Sequence, residues 1–135
     1  MRTFLIFLLA FFAKNRIKGA ALTIMQREKQ FENEVKRYLE SVGVYSLGTP
    51  RDKMSVEPVG YYEKRWGGMM TKSGLPDLHV CIHGHSIEVE LKCETGRLSE
   101  MQKFMIHQIN MSGGKALVLY PYEFGKFKAL VETYL

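Results

Sequence analysis

Two strictly alternating runs occupy the middle of the chain. From Asp77 to His83, the apolar residues Leu78, Val80 and Ile82 interleave with Asp77, His79, Cys81 and His83. From Ser86 to Lys92, Ile87, Val89 and Leu91 interleave with Ser86, Glu88, Glu90 and Lys92. Side chains alternate across a strand, so the pattern predicts a β-hairpin with all six aliphatic residues on one face. A two-residue loop at Gly84-His85 pairs His83 with Ser86, Val80 with Val89 and Asp77 with Lys92, and leaves Glu90 diagonal to Asp77 at about 7 Å. A loop one residue longer sets Asp77 opposite Leu91 and destroys the two-faced pattern.

Helical spacing appears on both sides of the hairpin. Phe31, Val35, Tyr38, Leu39 and Val42 fall on one stripe of a helix over residues 27–42, which Gly43 ends. Glu32 and Glu34 flank that stripe on opposite sides, and periodicity does not choose between them. From Val44 to Gly60, Gly48, Pro50, Pro58 and Gly60 punctuate a polar stretch that reads as a loop. Tyr61 to Trp66 alternates and predicts a short strand with Tyr62, Lys64 and Trp66 on one face. The lone tryptophan packs in the core on one reading and stacks on a base on the other. Residues 69–74 form a flexible approach, in which Lys72 faces solvent or a phosphate, and Pro76 starts the first hairpin strand because it has no N–H to give the ladder.

After a turn at residues 94–97, Ser99-Glu100-Met101-Gln102 is a capping-box pattern that opens a helix over Ser99 to Asn110. Ala116 to Tyr120 reads as a strand buried on both sides, stopped by Pro121, and Glu123 to Leu135 as a closing helix with Phe127, Leu130, Val131 and Tyr134 on one face. The order helix, strand, hairpin, helix, strand, helix predicts an α/β domain with a mixed central β-sheet flanked by helices.

Residues 1–24 depart from this pattern. Phe4 to Ala13 is apolar, too short to span a bilayer, and is followed by Lys14, Arg16 and Lys18. A start of translation at Met25 is favoured, ahead of an apolar docking or membrane-associating segment, with a signal peptide last. Residues 25–135 carry the domain. With 46% hydrophobic and 12% aromatic residues the chain is not disordered, and its net charge of +5 suits a polyanionic partner. By parity Cys81 and Cys93 lie on opposite faces of the hairpin and do not pair, which fits a reducing, cytoplasmic setting. His79 and His83 sit about 13 Å apart along a strand, too far to share a zinc ion.

Asp77, Glu90 and Lys92 together propose chemistry. Two carboxylates beside an ammonium, backed by apolar residues, suit Mg²⁺, which takes oxygen ligands and keeps positions for water and phosphate. Such an ion activates water and polarises a phosphodiester, and the lysine orients the water. Lys72, Arg97 and Lys103 are candidate contacts to a nucleic-acid backbone; for Lys103 and His107, four apart on a helix, a solvated face explains the spacing equally well.

Pro76-Asp77 followed by Glu90-Leu91-Lys92 resembles the PD-(D/E)xK nuclease motif. With Lys72-Ser73-Gly74-Leu75 before it and Gly96-Arg97-Leu98-Ser99-Glu100-Met101-Gln102 after it, the stretch is similar to the VRR-NUC branch, in its small, stand-alone, phage-type form related to Holliday-junction resolvases. The resemblance runs from about Phe31 to Tyr120. It implies a restriction-endonuclease-like core and a Mg²⁺-dependent endonuclease acting on branched or flapped DNA, with Mn²⁺ able to substitute. It implies Asp77, Glu90 and the Leu91 carbonyl as metal ligands, Lys92 at the attacking water, Gln102 in the active site, Glu32 completing the metal site and Lys64 on a phosphate. Relatives often work as homodimers, in a bacterial host cell if phage-encoded. The rivals are a non-catalytic nucleic-acid-binding module of the same fold and a membrane-associated or exported protein.

Overall fold

A computed structural model of the chain describes residues 2–67 and 72–135. The alternating runs form β3 (Leu78–Ile82) and β4 (His85–Leu91), two strands of a five-stranded sheet. The other strands are β1 (Val44–Ser46), β2 (Gly60–Lys64) and β5 (Ala116–Leu119), in the spatial order β1-β2-β3-β4-β5. The outer pairs β1/β2 and β4/β5 are parallel and the inner pairs antiparallel, so the sheet is mixed. Helices α1 (Arg2–Ser41), α2 (Glu100–Met111) and α3 (Phe124–Glu132) flank it.

The face carrying Leu78, Val80, Ile82, Ile87, Val89 and Leu91 packs against Phe31, Val35 and Leu39 of α1 and Phe127 and Val131 of α3. Phe124 joins the two helices, its ring edge-on to Phe31 at 5.7 Å and to Tyr38 at 5.8 Å. Burying one Leu, Ile or Val contributes roughly 1.5–3 kcal/mol. Turning six of them to solvent by a one-residue slip is therefore prohibitive, and parity is fixed.

The turn sits one residue earlier than expected, which shifts the cross-strand register by two. Ile82 pairs with His85, Val80 with Ile87 and Leu78 with Val89, so the loop is His83-Gly84, not Gly84-His85. A two-residue hairpin turn of the twist-matching kind needs positive φ at both central positions, and His83 (φ 46°) and Gly84 (φ 84°) supply it. A two-residue slip preserves parity, so each side chain keeps its face while its cross-strand partner changes. Asp77 now comes opposite Glu90 instead of Lys92 when the register is continued, and His79 stands opposite Glu88.

Other departures have local causes. The stretch read as a loop from Val44 contains β1, three residues long and paired to β2, with Val44 and Tyr45 buried. Such a short strand has no measurable alternation. α1 begins at Arg2, not near residue 27, because no proline precedes Pro50 and the single Gly19 does not end the helix. Along its first turns Phe4 to Leu9 and Phe11 are exposed, and no helix among the described residues is long and apolar enough to cross a membrane. β5 is an edge strand, so Leu117 and Val118 are only half-buried, and the closing helix is shortened by a 3-10 turn at Pro121–Glu123. Cys81 and Cys93 are free thiols. The part of the expected flexible approach at 69–71 lies outside the described residues.

Candidate active site

The site forms where β3 and β4 begin to part. With the register continued, Pro76 stands opposite Leu91 and has no N–H to offer its carbonyl. The Leu91 N–H donates instead to Asp77 Oδ2 at 2.8 Å, so the aspartate side chain takes the place of a ladder carbonyl. The main chain of Asp77 is held from the other side, its carbonyl accepting from the Arg65 N–H at 2.8 Å. N–H and C=O of one residue point to the same edge of a strand, so the Leu91 carbonyl is directed toward the edge where Asp77 lies.

Glu90 is almost completely buried, at 2% exposure. Its Oε1 accepts from Gln102 Nε2 at 2.6 Å and lies 3.4 Å from Lys92 Nζ. Among the described residues, its Oε2 is the buried side-chain atom with no hydrogen-bond partner. Burial, followed by the negative charge of Asp77, pushes the Glu90 carboxyl up to about 7, against an ordinary value of 4.5. An uncompensated buried carboxylate oxygen is costly, and a cation beside Asp77 is the group that would relieve it.

Gln102 forms the expected cap and also reaches Glu90. Its Oε1 accepts from the Ser99 N–H at 2.9 Å and its N–H donates to Ser99 Oγ at 3.1 Å, a complete capping box. That leaves the amide NH₂ to donate to Glu90. The cap thus orients the residue that orients the buried acid.

Glu32, not Glu34, turns inward: Glu32 is 7% exposed and Glu34 is on the outside. Its Oε1 takes Lys29 Nζ at 3.0 Å and Lys36 Nζ at 2.5 Å, while its Oε2 takes Lys64 Nζ at 2.9 Å. Burial pushes this carboxyl up, but Lys36, Lys64 and Lys29 together outweigh it and bring it down to about 2. Lys64 also lies 3.8 Å from Asp77 Oδ1, so it bridges the two acids. Glu32, Lys64, Asp77 and Leu91 line one depression of about 350 Å³. Lys64 is therefore an interior residue of the site, and Glu32 reaches Asp77 through it. Among the described residues no three His, Cys, Asp or Glu side chains group around one point, so Glu32 is not gathered with Asp77 and Glu90 into a three-carboxylate set.

No protein-family model, curated protein or solved structure matches this chain. The chemistry is accordingly argued from the residues. Two carboxylates and a main-chain carbonyl are a donor set that Mg²⁺ accepts, since it keeps several waters and needs only one or two protein carboxylates. The unpartnered Glu90 Oε2 is the observation that makes the residues fit such an ion.

The outer candidates lie on the surface. Lys72 and Arg97 are exposed, and Lys103 is exposed and paired with Glu100 at 2.8 Å. A second cluster escaped the sequence. Arg65 donates to both oxygens of Glu88 and, at 3.3 Å, to the Pro76 carbonyl, while His79 Nδ1 lies 2.6 Å from Glu88 Oε1. Burial raises the Glu88 carboxyl, but Arg65 and His79 outweigh it and hold it below the ordinary range. The alternation that set Glu88 and His79 on the Glu90 face was the available signal; Arg65, beyond the end of β2, had none.

Proposed function

We propose that the chain is a Mg²⁺-dependent endonuclease that hydrolyses DNA phosphodiester bonds, with a restriction-endonuclease-like core of the VRR-NUC type. The observation that carries this reading is the buried, unpartnered Glu90 Oε2 beside Asp77, with Lys92 on the same carboxylate. Asp77, Glu90 and the Leu91 carbonyl would hold the ion, and Gln102 keeps Glu90 Oε1 occupied so that Oε2 stays free for it. Bound Mg²⁺ supplies charge to polarise the phosphodiester and acidify a water. Lys92, beside Glu90, would orient the attacking water, and Lys64 offsets the negative charge that Glu32 and Asp77 bring together. The PD-(D/E)xK resemblance adds a 5′-phosphate product, Mn²⁺ as a substitute, a cytoplasmic setting and a homodimer acting on branched or flapped DNA. Lys72, Arg97 and Lys103 supply exposed positive charge for the DNA backbone.

Incubating the full chain with Mg²⁺ or Mn²⁺ and a panel of junctions, flaps, nicks and plain duplexes tests the reading. Lys92→Ala should be slower by on the order of 10²–10⁴-fold, the range for a group that handles the reacting proton. If wild type and Lys92→Ala leave every DNA equally whole, the chain is a binding module and the catalytic reading fails.

A further inference from the structure

The single tryptophan, Trp66, lies just beyond the end of β2. Trp66 is 72% exposed, although the alternation of Tyr62, Lys64 and Trp66 offered it a place on the buried face. It lines a depression of about 300 Å³ that also takes in Arg65, Lys72, Ser73 and Asp77. That is the low end of the range for ligand-sized clefts, on the order of 300–1,000 Å³. Asp77 also borders the depression shared with Glu32 and Lys64, so the two hollows adjoin at this carboxylate.

Two of the lining residues, Arg65 and Gly74, are held in place. The Arg65 side chain is held by Glu88 and the Pro76 carbonyl, and its N–H is tied to the Asp77 carbonyl, so the residue before Trp66 is anchored to the proposed centre. Opposite, Gly74 (φ 82°) lies so close to the first turn of α2 that a Cβ there would come within 2.5 Å of Met101 Cγ. Because Glu88 neutralises Arg65, the available positive charge at the rim is Lys72, which is exposed. A hollow lined by an exposed indole, an exposed ammonium and a carboxylate matches a nucleotide, with its flat apolar base and its anionic phosphate. Bases in a duplex are already stacked on both faces and cannot enter.

We propose that this depression is a subsite for one unpaired nucleotide, its base stacked on the Trp66 indole and its phosphate at Lys72, beside the Asp77 carboxylate. The inference rests on the nuclease reading and narrows its substrate to DNA with unpaired nucleotides next to the scissile bond. Stacking on an aromatic side chain is worth roughly 1–3 kcal/mol per base, or about 5–150-fold in affinity.

The single tryptophan makes the subsite directly readable by its own fluorescence. The full chain is titrated in EDTA, so that nothing is cut, with a thymidine oligonucleotide and with a blunt duplex of equal length. The single strand should quench the emission and the duplex should leave it unchanged. By anisotropy of a labelled strand, Trp66→Ala should weaken single-strand binding by on the order of tenfold and duplex binding by less than about twofold, while Trp66→Phe restores most of the loss. Thermal melts of both variants confirm that they fold. Equal quenching by both ligands, binding of neither, or single-strand affinity unchanged in Trp66→Ala overturns the subsite. Because no step requires cleavage, this outcome is separable from the nuclease assay: a chain that cuts DNA with the same preference after Trp66→Ala keeps the nuclease reading and loses this one.

Discussion

Glu32 and Glu90 are both buried glutamates within one site, and they are treated in opposite ways. Glu32 receives three lysines and is held near 2, whereas Glu90 receives one amide and a lysine on the same oxygen and is raised to about 7. Burial acts upward on both, so the difference lies in the partners. Glu32 and its lysines form a satisfied internal ion cluster that needs nothing more. Glu90, facing Asp77, is left with a deficit of positive charge, and deficits of this kind mark functional sites more often than structural ones.

The largest effect expected from breaking this contrast is on chemistry. Glu90→Gln removes the charge while keeping the shape, and DNA cleavage under Mg²⁺ should fall by on the order of a thousandfold or more, measured as single-turnover rate. Residual cleavage within tenfold of wild type would show that Glu90 is not a ligand.

The same substitution should improve the fold, and its counterpart should harm it. Below pH 4.5 Glu90 is protonated in folded and unfolded chains alike and costs nothing; as pH rises toward about 7 only the unfolded chain gains by ionising, so stability declines. Above pH 7 the cost is constant at about 3 kcal/mol, taking about 1.4 kcal/mol per pKa unit. Glu90→Gln should therefore be about 3 kcal/mol more stable than wild type at pH 8 and no different at pH 4, by urea unfolding in EDTA. Glu32 has the opposite sign: its contribution is complete above pH 4.5 and lost as pH falls through about 2. Glu32→Gln should cost about 3 kcal/mol at pH 8, since it strands Lys36 and Lys64 against the protein interior. Two destabilised variants of equal size would erase the contrast.

The smallest effect sharpens how Glu90 is positioned. Ser99→Ala should cost about 1 kcal/mol of stability through the lost cap, with little change in cleavage, because Gln102 Oε1 keeps its bond to the Ser99 N–H. Gln102→Ala should cost a similar amount of stability but slow cleavage further. If the two variants behave alike in the assay, Gln102 is only a cap.

Much of the site was legible because strand parity is robust. Asp77, Glu90 and Lys92 kept the face that alternation assigned them even though the cross-strand register moved by two residues. What alternation could not supply was the partner across the hairpin, since His83-Gly84 and Gly84-His85 both look like turns and only the φ values decide. The tie between Glu32 and Glu34 was of the same sort. It is broken by Lys64 arriving from β2, a contact 32 positions away that no local pattern carries. β1 was too short to show a period, and the first turns of α1 look unlike a surface helix because their apolar residues are exposed all round. The two readings of Trp66, core packing or an exposed ring, are separated by its exposure, which alternation does not give.

The most direct test is the melting temperature at pH 8 with and without Mg²⁺, compared between wild type and Glu90→Gln. At tenfold excess over its dissociation constant an ion that binds only the folded chain adds about 1.4 kcal/mol. Wild type should melt several degrees higher with Mg²⁺ than in EDTA, and Glu90→Gln should melt higher than wild type in EDTA and not respond to the ion. An equal Mg²⁺ response in both proteins, or none in wild type, would contradict a divalent site built on Glu90.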